Sequence, residues 1–196
     1  MAASRHAKAP FVLRELRWED FRDRTEGYLA LYDEVRENAD LGMTLMQRRP
    51  TTEDEAGWFS DLYRATLRGD TIVVVGEVDG RAVGMVTIAP GRLGGRGSES
   101  AHVGTLGILV DRRHRGRGLG EALLVRALEL ARSRFERVRL TVFSGNVRAK
   151  RLYERLGFGT VGHLEGEVKR SGRYLDEDIM TLSLADWHPP TAAQPT

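Results

Sequence analysis

The residues with the clearest chemical use lie in one short turn: Asp111, Arg112, Arg113, His114, Arg115, Gly116, Arg117, Gly118, Leu119 and Gly120. Before it, His102 to Val110 is an apolar run rich in Val, Ile and Leu, with the length of a buried strand. After it, Leu123, Leu124, Ala127, Leu128 and Ala131 recur at helical spacing. The first N–H groups of a helix have no partner within it, and the helix dipole makes that end partly positive. Glycines let an anion approach the backbone, and arginines add forked donors. Strand, basic glycine turn and helix therefore predict a cradle for a pyrophosphate. A P-loop is excluded, because Glu121 and Ala122 stand where Lys and Ser or Thr are needed. A dinucleotide fingerprint is excluded by the spacing Gly116-x-Gly118-x-Gly120.

A second group of residues follows at a fixed distance. Arg139 to Phe143 is another short apolar strand. Asn146 is placed to cap a helix over residues 147–156, and Gly157-Phe158 ends it. Tyr153 on that helix is a phenol, protonated at neutral pH with an ordinary pKa of about 10, and so can donate a proton or a hydrogen bond.

Arg115-x-x-Gly118-x-Gly120 after a strand resembles the coenzyme A pyrophosphate loop (Q/R-x-x-G-x-G/A) of the GNAT superfamily of N-acetyltransferases. Asn146, Ala149, Leu152, Tyr153, Gly157 and Phe158 resemble its second signature, N-x-x-A-x-x-L-Y-x-x-x-G-F. The resemblance covers residues 72–184. It implies an α/β fold with a central mixed sheet, splayed between the strands ending near Val110 and Phe143 and flanked by helices. It implies acetyl-CoA as cosubstrate, with the backbone of Ile108, Leu109 and Val110 along the pantetheine arm. Arg115, Gly116, Arg117, Gly118, Leu119 and Gly120 would lie around the pyrophosphate. Asn146 is either a further cofactor contact or only a cap. The Ile108 N–H would polarise the acetyl carbonyl as an oxyanion donor, and Tyr153 would be the general acid for the leaving thiolate. The activity implied is direct transfer of acetyl to a primary amine in a ternary complex; the amine is a small amine, a polyamine or a protein N-terminus. Two other readings carry different consequences: an acyl-CoA-sensing module without catalysis, and a basic nucleic-acid-binding protein.

The general base is not assigned by the pattern. Residues 102–107 contain no carboxylate, and His102, Glu77, Glu99, Glu165 and Asp176 are unanchored alternatives. Asp176, Glu177 and Asp178 offer negative charge to a cationic amine. The five His residues show no metal-ligand spacing, so no metal is expected.

The remaining chain must position these groups. At 196 residues, one domain is expected over residues 11–184, with flexible tails at 1–10 and 185–196. With 30 Lys and Arg against 28 Asp and Glu, the net charge of +2 argues against bulk nucleic-acid attraction. The chain has no Cys, which excludes disulfides and an acetyl-cysteine intermediate. No apolar run has membrane-spanning length and no secretory leader is evident, so a cytoplasmic enzyme is expected. Phe11 to Arg17 reads as an edge strand, 18–38 as a helix with Gly27 a candidate break, and 53–67 as a helix capped by Thr51 or Thr52, Thr52 with Glu55 fitting a capping box. Residues 41–50 and 91–100 read as loops. Residues 71–78 and 81–89 form a hairpin about Asp79-Gly80, and 159–169 and 173–184 form a second about Ser171-Gly172. An exposed edge strand or the terminal strands would serve a homodimer.

Overall fold

The computed structural model describes residues 11–37, 48–91 and 99–190. The expected loops at 41–50 and 91–100 lie largely outside these residues. The chain runs β1 (Val12–Arg14), α1 (Asp20–Glu37), α2 (Thr52–Leu67), β2 (Ile72–Val78), β3 (Arg81–Pro90), β4 (Val103–Val110), a 3-10 turn (Arg112–His114), α3 (Leu119–Ala131), β5 (Arg137–Phe143), α4 (Val147–Arg155), β6 (Gly159–Arg170) and β7 (Arg173–Ser183). The strands form one seven-stranded mixed sheet in the order β1-β2-β3-β4-β5-β7-β6.

Alternation along β2 assigns its two faces. Val74 joins Val86, Ile88, Leu123, Leu124 and Leu128 under α3, while Val73 and Val75 join Leu16, Phe59 and Met85 under α1 and α2. Helix α3 lies close to the sheet because glycines face it. A Cβ at Gly76 would stand 2.6 Å from Leu119 Cδ1, and one at Gly84 would stand 3.0 Å from Leu123 Cδ1.

The pairing that matters for function is β4 with β5. They are parallel and matched at only three positions, Val103–Arg137, Gly104–Val138 and Thr105–Arg139. Beyond Thr105, β4 stays paired with β3 as far as Val110, and β5 stays paired with β7 as far as Phe143. The two strands therefore part toward their C-terminal ends, as the fold expectation requires.

Three local expectations are corrected. Helix α1 is continuous through Gly27, where the space around a Cβ is open. The capping box of α2 is Thr51–Asp54 rather than Thr52–Glu55. Glu55 is buried and ion-paired to Arg24, so its carboxylate does not reach back to the helix start. Trp187, assigned above to the tail, is buried, and its Nε1 donates to Leu156 O at 2.8 Å at the end of α4. The packed chain thus runs past residue 184.

Candidate functional site: a splayed strand pair and a bare helix start

Strand parity decides which backbone groups face the splay. In an antiparallel pair, a residue's N–H and C=O point to the same side, and neighbouring residues point to opposite sides. Asp111 N donates to Val83 O at 2.8 Å, and Val103 O accepts from Gly91 N at 3.0 Å. Odd-numbered residues of β4 therefore spend their backbone groups on β3. Ile108 and Val110 turn theirs toward the splay, whereas Leu109 does not. Leu109 is paired with Met85, and this corrects its expected place along a pantetheine arm.

The turn after β4 is shaped to leave N–H groups bare. Asp111 caps the 3-10 turn, accepting from Arg113 N at 2.8 Å, and the Arg113 guanidinium beside it holds its carboxyl down at about 2. Gly118 is the N-cap of α3 with φ 85°, a left-handed conformation, and it supplies no side-chain cap. The first bond into the helix is from Ala122 N to Gly118 O, which leaves the N–H groups of Leu119, Gly120 and Glu121 without intrahelical acceptors. With Gly116 at φ 77°, the chain curls into a concave set of donors at the positive end of α3.

Arg115 belongs to this turn in a different way from that expected. Its N–H bonds Arg112 O at 3.3 Å. Its Nε donates to Val110 O at 2.9 Å, and Nη1 and Nη2 reach Glu34 of α1 at 3.0 and 3.2 Å. It braces the turn against α1 and is withdrawn from the cradle. Another arginine that the sequence reading did not single out lies beside the turn: Arg148 of α4, whose Nη2 would lie 3.0 Å from a Cβ at Gly116. Its sign was an Arg two residues after Asn146, which has meaning only once α4 is packed beside the turn.

Asn146 caps α4 through its Oδ1, which accepts from Ala149 N at 3.2 Å. Seven residues on, Tyr153 is buried at 7% exposure and meets Phe158 edge-on at 5.9 Å. Burial pushes its phenol up to about 12.

The proposed bases do not gather at the splay. Glu77 is tied to Arg14 at 2.5 Å at the β1–β2 edge. His102 is exposed at the start of β4, its Nδ1 on Glu99 O at 3.1 Å. Asp176 accepts from Gly166 N at 2.8 Å, and Glu165 is exposed on β6. Two other groups share the face of the sheet opposite α3. Thr105 stands at the foot of the splay with its Oγ1 buried and without a hydrogen-bond partner. Glu177 is buried on β7 and in register with Phe143 at the end of β5. A cavity of about 520 Å³ opens on this same face, between α1 and the sheet, floored by Val75, Met85 and Leu109 and edged by His114 and Arg117. Among the described residues, no His, Asp and Glu are grouped to hold a metal, and no helix is long and apolar enough to cross a membrane.

Residues 12–158 match the Acetyltransferase (GNAT) family. The chain belongs to that family. Over 109 residues it is 34% identical to the L-amino acid N-acetyltransferase AaaT of Escherichia coli (strain K12). That match takes in 55% of this chain and 65% of AaaT, just under two thirds of the relative's length. The yncA protein of Salmonella typhimurium, solved with its cofactor acetyl-CoA, superposes with a TM-score of 0.77 at 23% identity, covering 94% of this chain and 99% of that one. The phosphinothricin acetyltransferase of Sinorhizobium meliloti, in complex with acetyl-CoA, gives 0.74 at 23%, covering 95% and 93%. These two likenesses establish the GNAT fold.

Proposed function

We propose that the protein is an N-acetyltransferase that transfers acetyl from acetyl-CoA to a primary amine by direct attack. The observation that carries this reading is the pairing of unspent backbone donors. Ile108 and Val110 face the splay, and the bare N–H groups of Leu119 to Glu121 start the helix that follows it. A pantetheine arm and a pyrophosphate match these two sets of donors in both order and charge. Two neighbours of the same fold hold acetyl-CoA, and AaaT is an L-amino acid N-acetyltransferase, so amino acids head the panel of acceptors.

Acetyl-CoA supplies an acyl group activated as a thioester. In this reading the Ile108 N–H stabilises charge on the acetyl oxygen; losing one such donor typically costs about 100- to 1000-fold in rate. An attacking amine must be deprotonated. We assign that proton to water anchored at Thr105 Oγ1, the buried unpartnered hydroxyl at the foot of the splay, and from there to solvent. Tyr153 stabilises the departing sulfur. With its phenol at about 12 it is a weaker acid than an ordinary thiol at about 8.5, so in the closed site it acts first as a hydrogen-bond donor. The absence of Cys is consistent with direct transfer.

The test is thermal unfolding with and without acetyl-CoA. Cofactor at 100 times its dissociation constant stabilises a single site by about 2.7 kcal/mol, a shift of several degrees. Release of free coenzyme A is then followed across L-amino acids, polyamines and peptide N-termini. No shift at saturating acetyl-CoA refutes the reading.

A further inference from the structure

Asp178 of β7 is a buried carboxylate, at 4% exposure, that the reaction outlined above does not use. Three side chains from three elements converge on it. Ser144 Oγ, in the turn after β5, donates at 3.0 Å; Lys150 Nζ of α4 at 2.5 Å; His163 Nδ1 of β6 at 2.8 Å. Asp178 is in register with Val142, one residue before β5 ends. Asp176 is the other carboxylate facing His163, 3.8 Å from its Nε2. The backbone supports the same junction: Ser144 N donates to Asp176 O at 2.9 Å and Asn146 N to Phe143 O at 2.8 Å.

We propose that Asp178 is a positioning residue: it fixes the junction between β5 and α4, and through it the place of Tyr153 at the splay. The inference rests on the reading that Tyr153 serves the transfer. The geometry is that of a two-point clamp. Ser144 lies two residues before the N-cap Asn146, and Lys150 lies one turn beyond it and three residues before Tyr153. On a helix, residues three apart lie on neighbouring parts of the surface, so a helix held at 150 is held at 153. Helix α4 has only nine residues, too short to keep its direction without tertiary support. A carboxylate acceptor suits the task, since charge-assisted bonds to Lys150 and His163 are shorter and stronger than neutral ones. The turn and first coil of α4 thus pivot on one buried oxygen pair, and a shift of about 1 Å at a catalytic group can cost on the order of 100-fold in rate.

The experiment is a pair of double-mutant cycles on kcat, using Asp178→Asn and Ser144→Ala, each alone and combined with Tyr153→Phe. KM for acetyl-CoA and the unfolding midpoint are measured in parallel. Expected for Asp178→Asn is a fall in kcat of about tenfold or more, and for Ser144→Ala a smaller fall, with KM for acetyl-CoA changed less than about twofold. In the Tyr153→Phe background each should change kcat by less than about twofold, because the group being positioned is gone. Ser144→Ala removes one hydroxyl and leaves the ion pairs, so it carries the test if Asp178→Asn does not fold. Effects that multiply in full in the Tyr153→Phe background overturn the proposal, as do effects on KM or stability with kcat untouched. A Tyr153→Phe enzyme with normal kcat overturns the role of Tyr153 itself, and the positioning role falls with it.

Discussion

Two glycines of one turn should respond in opposite ways to the same substitution. Gly118 holds φ 85° at the N-cap of α3. Gly120 is in the first turn of the helix, and a Cβ there would meet Leu152 Cδ2 at 3.7 Å, Val110 Cγ2 at 3.9 Å and Ile108 Cδ1 at 4.0 Å, all ordinary contacts. A left-handed residue with a Cβ costs about 1–2 kcal/mol. Replacing Gly by Ala inside a helix gains up to about 1 kcal/mol. For a chain of this size, 1 kcal/mol moves the unfolding midpoint by about 2–4 °C. Gly118→Ala should therefore lower it by about 2–8 °C, while Gly120→Ala should leave it unchanged or raise it by up to about 4 °C. The assay is scanning calorimetry of the three proteins, repeated with acetyl-CoA. The ligand-dependent rise should persist in Gly120→Ala and shrink in Gly118→Ala, where the donor loop is re-formed around a side chain. Equal losses in both variants, or a larger loss at Gly120, would refute the assignment of one glycine to conformation and the other to packing. The same geometry explains why the family pattern admits Ala at the last position and not at the one before it.

Tyr153→Phe should keep acetyl-CoA affinity and lower kcat by at least about tenfold, read by coenzyme A release under conditions where chemistry limits the rate. Gly104→Ala should destabilise by about 1–3 kcal/mol in chemical denaturation, since its Cβ would press on Ile88 and on Phe135, both buried, while KM for acetyl-CoA stays the same. His163 has its pKa raised, first by its hydrogen bond to Asp178, so its contribution to stability is complete below the unfolded value of about 6.5 and is lost as pH rises through the higher folded value. The denaturation midpoint of the wild type should accordingly fall over that interval, and His163→Gln should flatten the slope; a slope unchanged in the variant would assign it to another group.

The sequence was most legible where the signal is local. Asp79-Gly80 and Ser171-Gly172 turn with positive φ at both residues, as their types demand. Asn146 caps α4, and the glycines and apolar spacing around residues 110–131 placed a helix start where α3 begins. The splay of β4 from β5 came only from the family resemblance, and the order that sets β7 between β5 and β6 came only from the structure. Nothing local in Ile108 or Val142 says that their strands part. The misreadings share one cause, a partner far away in sequence. Arg115 was read with its neighbouring glycines, but Glu34, 81 residues earlier, draws its side chain off. Glu55 was read as a cap and is taken by Arg24. Trp187 was read with the prolines after it and is claimed by the end of α4. Leu109 was read as equivalent to Ile108, a distinction that only the register with β3 makes.

The bridge from Glu34 through Arg115 to the Val110 carbonyl joins a helix on one side of the sheet to the strand that borders the splay. It ties the position of α1 to the edge of β4. Where seating the acceptor displaces α1, the displacement reaches the edge of β4 through a single guanidinium, and seating the donor acts back along the same path. Linkage then requires each ligand to change the other's affinity by the same factor, and that factor would be carried by one ion pair rather than by either binding surface.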